Sequence, residues 1–171
     1  MNIIELLVKE LDQEAAITRK MLNCVSDDDY DWQPHPKSMT VRRLATHLAD
    51  LGNWFAMTLT TSELDFMTTN WKEEIINDTS SLLNYFERSL ANGRSHLEQA
   101  TEADLQEMWT LRSGEHILSS TTKYEMIRII LGQMIHHRAQ LGVFLRLLNI
   151  PIPGTYGPSA DEMPAEPVIN F

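Results

Sequence analysis

Apolar residues return every three or four positions through most of this chain, the period of helices that each bury one face. Ile4, Leu7, Leu11, Ala15, Thr18 and Leu22 draw such a face over about the first two dozen residues. Ser26-Asp27-Asp28-Asp29 offers a cap and an acidic first turn for a short helical piece, after which Pro34-His35-Pro36 forces an extended connection. A second helix is expected from near Ser38, with Val41, Leu44, Leu48, Leu51 and Phe55 as its buried stripe. From Asp78, an N-cap residue type, Leu82, Phe86, Leu90 and Leu97 predict a third helix in which Gly93 is a weak point. Thr122 and Glu125 form a capping box, and Ile127, Ile130, Met134, Leu141, Phe144, Leu145 and Leu148 carry the period to about Asn149. That last helix spans roughly 40 Å at about 1.5 Å per residue, and Pro151 and Pro153 stop it.

Four long amphipathic segments cover one another most simply as a four-helix bundle, so the expected class is all-α. Thr61 to Asn77 reads as a long connection over one end of the bundle. Trp109-Thr110-Leu111-Arg112 and His116-Ile117-Leu118, on either side of Ser113-Gly114-Glu115, predict a small β-hairpin before the last helix. Residues 1–150 then form the bundle, and residues 151–171 a Pro- and Gly-containing tail packed on or near it.

Composition narrows the function. With 24 acidic against 14 basic residues the formal charge is −10, and no run of Lys or Arg draws a track for phosphates, which disfavours nucleic acid as a partner. Cys24 is the only cysteine, so neither an internal disulfide nor a Cys-rich zinc site can form, as suits a reducing compartment. The N-terminus lacks the order of a signal peptide, and no apolar run is long enough for a bilayer, so a cytoplasmic protein without membrane attachment is expected.

The candidate chemistry lies in Gln133-Met134-Ile135-His136-His137-Arg138-Ala139-Gln140-Leu141, where polar, metal-competent side chains enter an apolar stripe. His47, three residues after Leu44 and four before Leu51, does the same in the second helix. Gln133 and His137, four apart, share one helical face, whereas His136 is rotated by about 100° to its margin. Neutral imidazoles are the commonest protein ligands for zinc, nickel or iron, and Gln133 is a weaker third donor. The same spacing equally suits core-edge histidines hydrogen-bonded to Asp50, Gln133 or backbone. Asp50 can orient His47 or accept a proton near it, and Arg138 can pair with an anionic substrate or with the chain's own acids. Met126 and Met134 suit packing better than ligation, and Trp32, Trp54, Trp71 and Trp109 suit core anchoring at least as well as a ligand cleft.

Taken together, His47 in Arg43-Leu44-Ala45-Thr46-His47-Leu48-Ala49-Asp50, the segment His136-His137-Arg138-Ala139-Gln140-Leu141, Tyr156-Gly157-Pro158-Ser159 and Trp32-Gln33-Pro34 resemble the DinB-like (DNA-damage-inducible) superfamily. The resemblance covers nearly the whole chain. It implies a four-helix bundle, frequently a homodimer, holding a divalent metal through one histidine of the second helix and a His-x-x-x-His pair of the fourth. Carried over by position, the metal ligands are His47, residue 133 and His137, and residue 133 is Gln here. It further implies a metal-dependent thiol transferase or hydrolase of small molecules; on that reading the ion is zinc, nickel, iron or manganese, and Asp50 or His136 serves as proton acceptor. The competing expectation is a non-catalytic dimeric or small-ligand-binding bundle whose metal site is degraded at Gln133.

Overall fold

The computed structural model describes residues 2–69 and 74–163; Trp71 and the end of the tail, residues 164–171, lie outside them. Helix α1 (Ile3–Leu22) starts on a capping box in which Asn2 and Glu5 exchange side-chain and backbone bonds. A single 3-10 turn, Asp27–Asp29, follows on the Ser26 cap. Helix α2 (Val41–Thr60) begins at Val41, three residues after the expected Ser38, because its first amides are satisfied from outside the helix. Val41 N donates to Trp32 O and Arg42 N to Tyr30 O, while Thr40 caps Arg43 N. Helix α3 (Thr79–Gln99) is capped by Asp78 as expected, and α4 (Glu102–Gln106) is a short helix absent from the sequence reading.

With helix α5 (Lys123–Leu147), the long helices pack in a closed ring, α1 on α3, α3 on α2, α2 on α5 and α5 on α1. Helix α5 opens on the Thr122–Glu125 box. It closes with Asn149 at φ 61°, where Asn149 N donates to Arg146 O and Ile150 N to Leu145 O, a Schellman ending. Gly93, expected as a weak point, instead permits a close crossing of α3 on α2: a Cβ there would stand 2.2 Å from Gly52 O. Its value lies in close approach rather than in local flexibility.

The fold is mostly helical, as expected, and the expected hairpin is present as part of a larger element, a three-stranded sheet. Strands β2 (Met108–Ser113) and β3 (His116–Thr122) are antiparallel around Gly114, and β1 (Glu63–Asp65), from the supposed connection, runs parallel to β2. Asp65 secures the corner by accepting from Gly114 N and Met67 N. Buried Lys123 then ties the end of α2 to the start of α5 by donating to Leu59 O and Glu107. Among the described residues no helix is long and apolar enough to cross a membrane.

Candidate functional site

Helices α2 and α5 bring His47 and His137 together, with ring centroids 4.8 Å apart and planes at 77°. His137 is buried between Met134 and Leu141 of the α5 stripe, and His47 stands half-buried beside Leu44, Leu48 and Leu51. Both rings face a cavity of about 310 Å³ walled by Leu51 and Trp54 of α2, Met126 and Ile130 of α5, and Leu111 and Ser119 of the sheet. The sheet therefore roofs a space that the helices alone would leave open.

The spacing can be tested against a shared ion. With a metal–nitrogen bond of about 2.0–2.1 Å and a ring centre about 1.2 Å beyond it, two imidazoles at angles between about 90° and 109° stand roughly 4.5–5.3 Å apart. The observed separation falls inside that range. His137 Nδ1 lies 2.9 Å from Gln140 Oε1, an acceptor, so Nδ1 carries the proton and Nε2 keeps its lone pair. Burial, followed by the neighbouring His137 and Arg43, lowers the His47 pKa from its ordinary value to about 4. Burial also lowers that of His137, against the raising effect of Gln140. Both rings are thus neutral at pH 7, the form that binds a metal.

The other expected site residues divide. Gln133 lines the cavity beside His137, so the amide stands where the sequence placed it. Among the described residues no group of three His, Cys, Asp or Glu side chains could hold a metal, so the strong donors are two imidazoles and any third must be weaker, such as this amide. The donor set fits an ion loosely. His136 is exposed, 5.0 Å from His137 between ring centroids, at the margin predicted for it.

Asp50 does not serve His47. Its buried carboxylate accepts from Tyr85 Oη at 2.5 Å, Asn53 Nδ2 at 2.9 Å and Trp54 Nε1 at 3.2 Å. Helical spacing put it near the histidine but could not show that α3 supplies Tyr85 on its other side. Through Trp54, whose ring lies edge-on to His47 at 6.3 Å, it fixes a cavity wall. Burial raises the Asp50 pKa while these three donors oppose the rise.

Arg138 takes the second of its two expected roles. Only 1% exposed, it pairs with Glu14 at 2.7 Å, donates to Thr18 Oγ1, and reaches Tyr156 Oη at 2.8 Å, while Tyr156 in turn donates to Glu14. The Tyr-Gly-Pro-Ser segment is thereby fastened to α1 and α5. Trp109 is a core anchor, Trp32 stacks edge-on against Phe144, and Met126 lines the cavity by packing. Gln140, Ser119 and Tyr85 escaped sequence reasoning. Only Gln140 had a usable signal, its position three residues after His137.

Comparison with known proteins agrees with this architecture. Uncharacterized protein YrdA of Bacillus subtilis (strain 168) is 25% identical over 163 residues, covering 91% of this chain and 89% of its own. The fold is similar to that of the DinB-like protein YjoA of Bacillus subtilis, with a TM-score of 0.68 at 18% identity over 88% of this chain and 96% of that one. It is also similar to YfiT of Bacillus subtilis, described as a probable metal-dependent hydrolase with an unusual four-helix bundle topology. There the TM-score is 0.66 at 16% identity, over 88% of this chain and 91% of YfiT. The sequence pattern of the DinB family matches residues 1–167, and the chain belongs to that family.

Proposed function

We propose that this DinB-family protein is a divalent-metal-dependent enzyme of the hydrolase or thiol-transferase type, acting on a small molecule in a four-helix bundle of α1, α2, α3 and α5. The observation that carries the reading is the convergence of two neutral imidazoles on one cavity, one of them held by Gln140 with Nε2 free. His47 and His137 would hold zinc, nickel, iron or manganese, with the Gln133 amide oxygen as third donor. Such an ion supplies Lewis acidity, which lowers the pKa of a water or thiol and yields an anionic nucleophile at neutral pH. Gln140 keeps the His137 ring in one tautomer. Trp54, braced by Asp50, would exclude water from one side of the cavity, and exposed His136, its ring 5.0 Å from that of His137, would accept the proton. The description of YfiT as a probable metal-dependent hydrolase supports the hydrolase branch.

Protein prepared without a histidine tag should take up one equivalent of one of these ions, measured by elemental analysis. His137→Ala should lose both the ion and turnover in a screen of ester, amide and thiol-transfer substrates. Absence of stoichiometric uptake, or turnover that survives in His137→Ala, would contradict the reading.

Gln133 favours a second reading, a non-catalytic bundle that dimerises or binds a small ligand. Ligand binding stabilises by mass action, so a working metal site raises Tm with added ion, whereas the second reading predicts an unchanged Tm.

A further inference from the structure

The cavity beside the histidines is graded along its length. Helix α5 supplies Gln133 and His137 at one end and Met126, Ile129 and Ile130 one to three turns earlier, so the middles of the two groups lie roughly 10 Å apart at about 1.5 Å per residue. Helix α2 matches this order, with His47 opposite His137 and with Leu51 and Trp54 following. Six of the ten lining residues are apolar, and none is Lys, Arg, Asp or Glu. The ionic residues that flank His47 on α2 are spoken for or outside: Asp50 bonds Trp54 and carries three donors on its carboxylate, and Arg43 is exposed beyond the lining. A carboxylate, phosphate or ammonium entering this space would shed its water without meeting an opposite side-chain charge. A cavity of about 150 Å³ lined by apolar side chains holds benzene, so about 310 Å³ has room for two fused rings.

We propose that this cavity accepts an uncharged, flat, apolar molecule of about two fused rings bearing one hydrogen-bonding group. The rings lie at the Trp54–Ile130 end and the polar group at the His47–Gln133–His137 end. The inference rests on the histidine pair being the working end of the cavity, but not on an ion being held there.

Calorimetric titration of the full chain with three probes of one skeleton tests it: neutral 2-naphthol, anionic 2-naphthoate and cationic 2-naphthylmethylamine, at neutral pH with EDTA present. Naphthol should bind at least about tenfold more tightly than either charged probe. Ile129→Trp, at the 43%-exposed rim, should fill the space and abolish binding while circular dichroism stays unchanged. Ser119→Trp should do the same from the sheet, and Val143→Trp, an exposed α5 position outside the lining, should leave binding intact. Equal or tighter binding of a charged probe, no binding of naphthol, or undiminished binding in both blocked variants would overturn the proposal. Zinc uptake is read separately on EDTA-free protein. Failure of uptake with naphthol preference intact removes the metal reading alone, and uptake without that preference removes this one alone.

Discussion

His137 and Arg138 are neighbours on one helix, and they show two ways of burying a polar side chain. Arg138 is paired several times over: Glu14, Thr18 and Tyr156 accept from it, and the Tyr156 hydroxyl closes the circuit by donating to Glu14. His137 is left with an option. Gln140 holds one ring nitrogen, and the other belongs to a ring that stands beside His47 at the wall of a cavity. A fully paired buried network fixes a fold, whereas a partly paired one next to empty space is where a ligand can gain energy. The segment that joins these two residues therefore combines a bolt with a candidate site.

Breaking the bolt should have the greatest effect on stability. Arg138→Met leaves the Glu14 carboxylate buried with Tyr156 as its remaining partner, and should cost about 3–5 kcal/mol in chemical denaturation. The loss should shrink when Glu14→Gln is added. If Arg138→Met denatures like the parent, the Arg138–Glu14–Tyr156 network is not structural.

Acid should act on the open side. In the unfolded chain His47 protonates near its ordinary 6.5, but in the fold only near 4, so protons favour unfolding between those values. Stability of the metal-free protein should be full above pH 6.5 and decline towards pH 4, by on the order of 2 kcal/mol given the partial exposure of the ring. His47→Gln should flatten that slope in denaturation curves taken across the range, and a slope of the same size in the variant would assign it elsewhere.

Gln140→Ala should leave the fold intact and weaken metal binding by about 10–100-fold, because the His137 ring loses the partner that sets its tautomer. Gln133→His should move affinity the other way by supplying a third imidazole. Unchanged affinity in both would mean that neither residue belongs to a metal centre. The smallest change is expected from Asp50→Asn, which keeps an acceptor for Trp54 and Tyr85 but removes the charge. About 1 kcal/mol of stability should be lost, and Trp54 fluorescence should report a looser wall.

Much of this was legible in the chain. The Asp78 cap, the Thr122–Glu125 box and the three-to-four periodicity located the long helices because those signals are local. Strand β1 was not legible, since Glu63-Leu64-Asp65 is too short for an alternating pattern and is a strand only because β2 lies alongside. Helix α4 had its Thr101–Asp104 box in view, but five residues carry no periodicity. The meeting of His47 with His137 followed from two stripes facing one core. The partners of Asp50 and Arg138 did not follow, because they come from other elements: Tyr85 on α3, Glu14 on α1 and Tyr156 in the tail.

The shared ion is the claim on which the functional reading depends, and diffraction at a metal absorption edge tests it most directly. Crystals of untagged protein equilibrated with zinc, nickel, iron or manganese should show one anomalous peak within bonding distance of His47 and of His137 Nε2, on the Gln133 side. A map without a peak there, or with the ion bound at His136 and away from His47, would contradict the account.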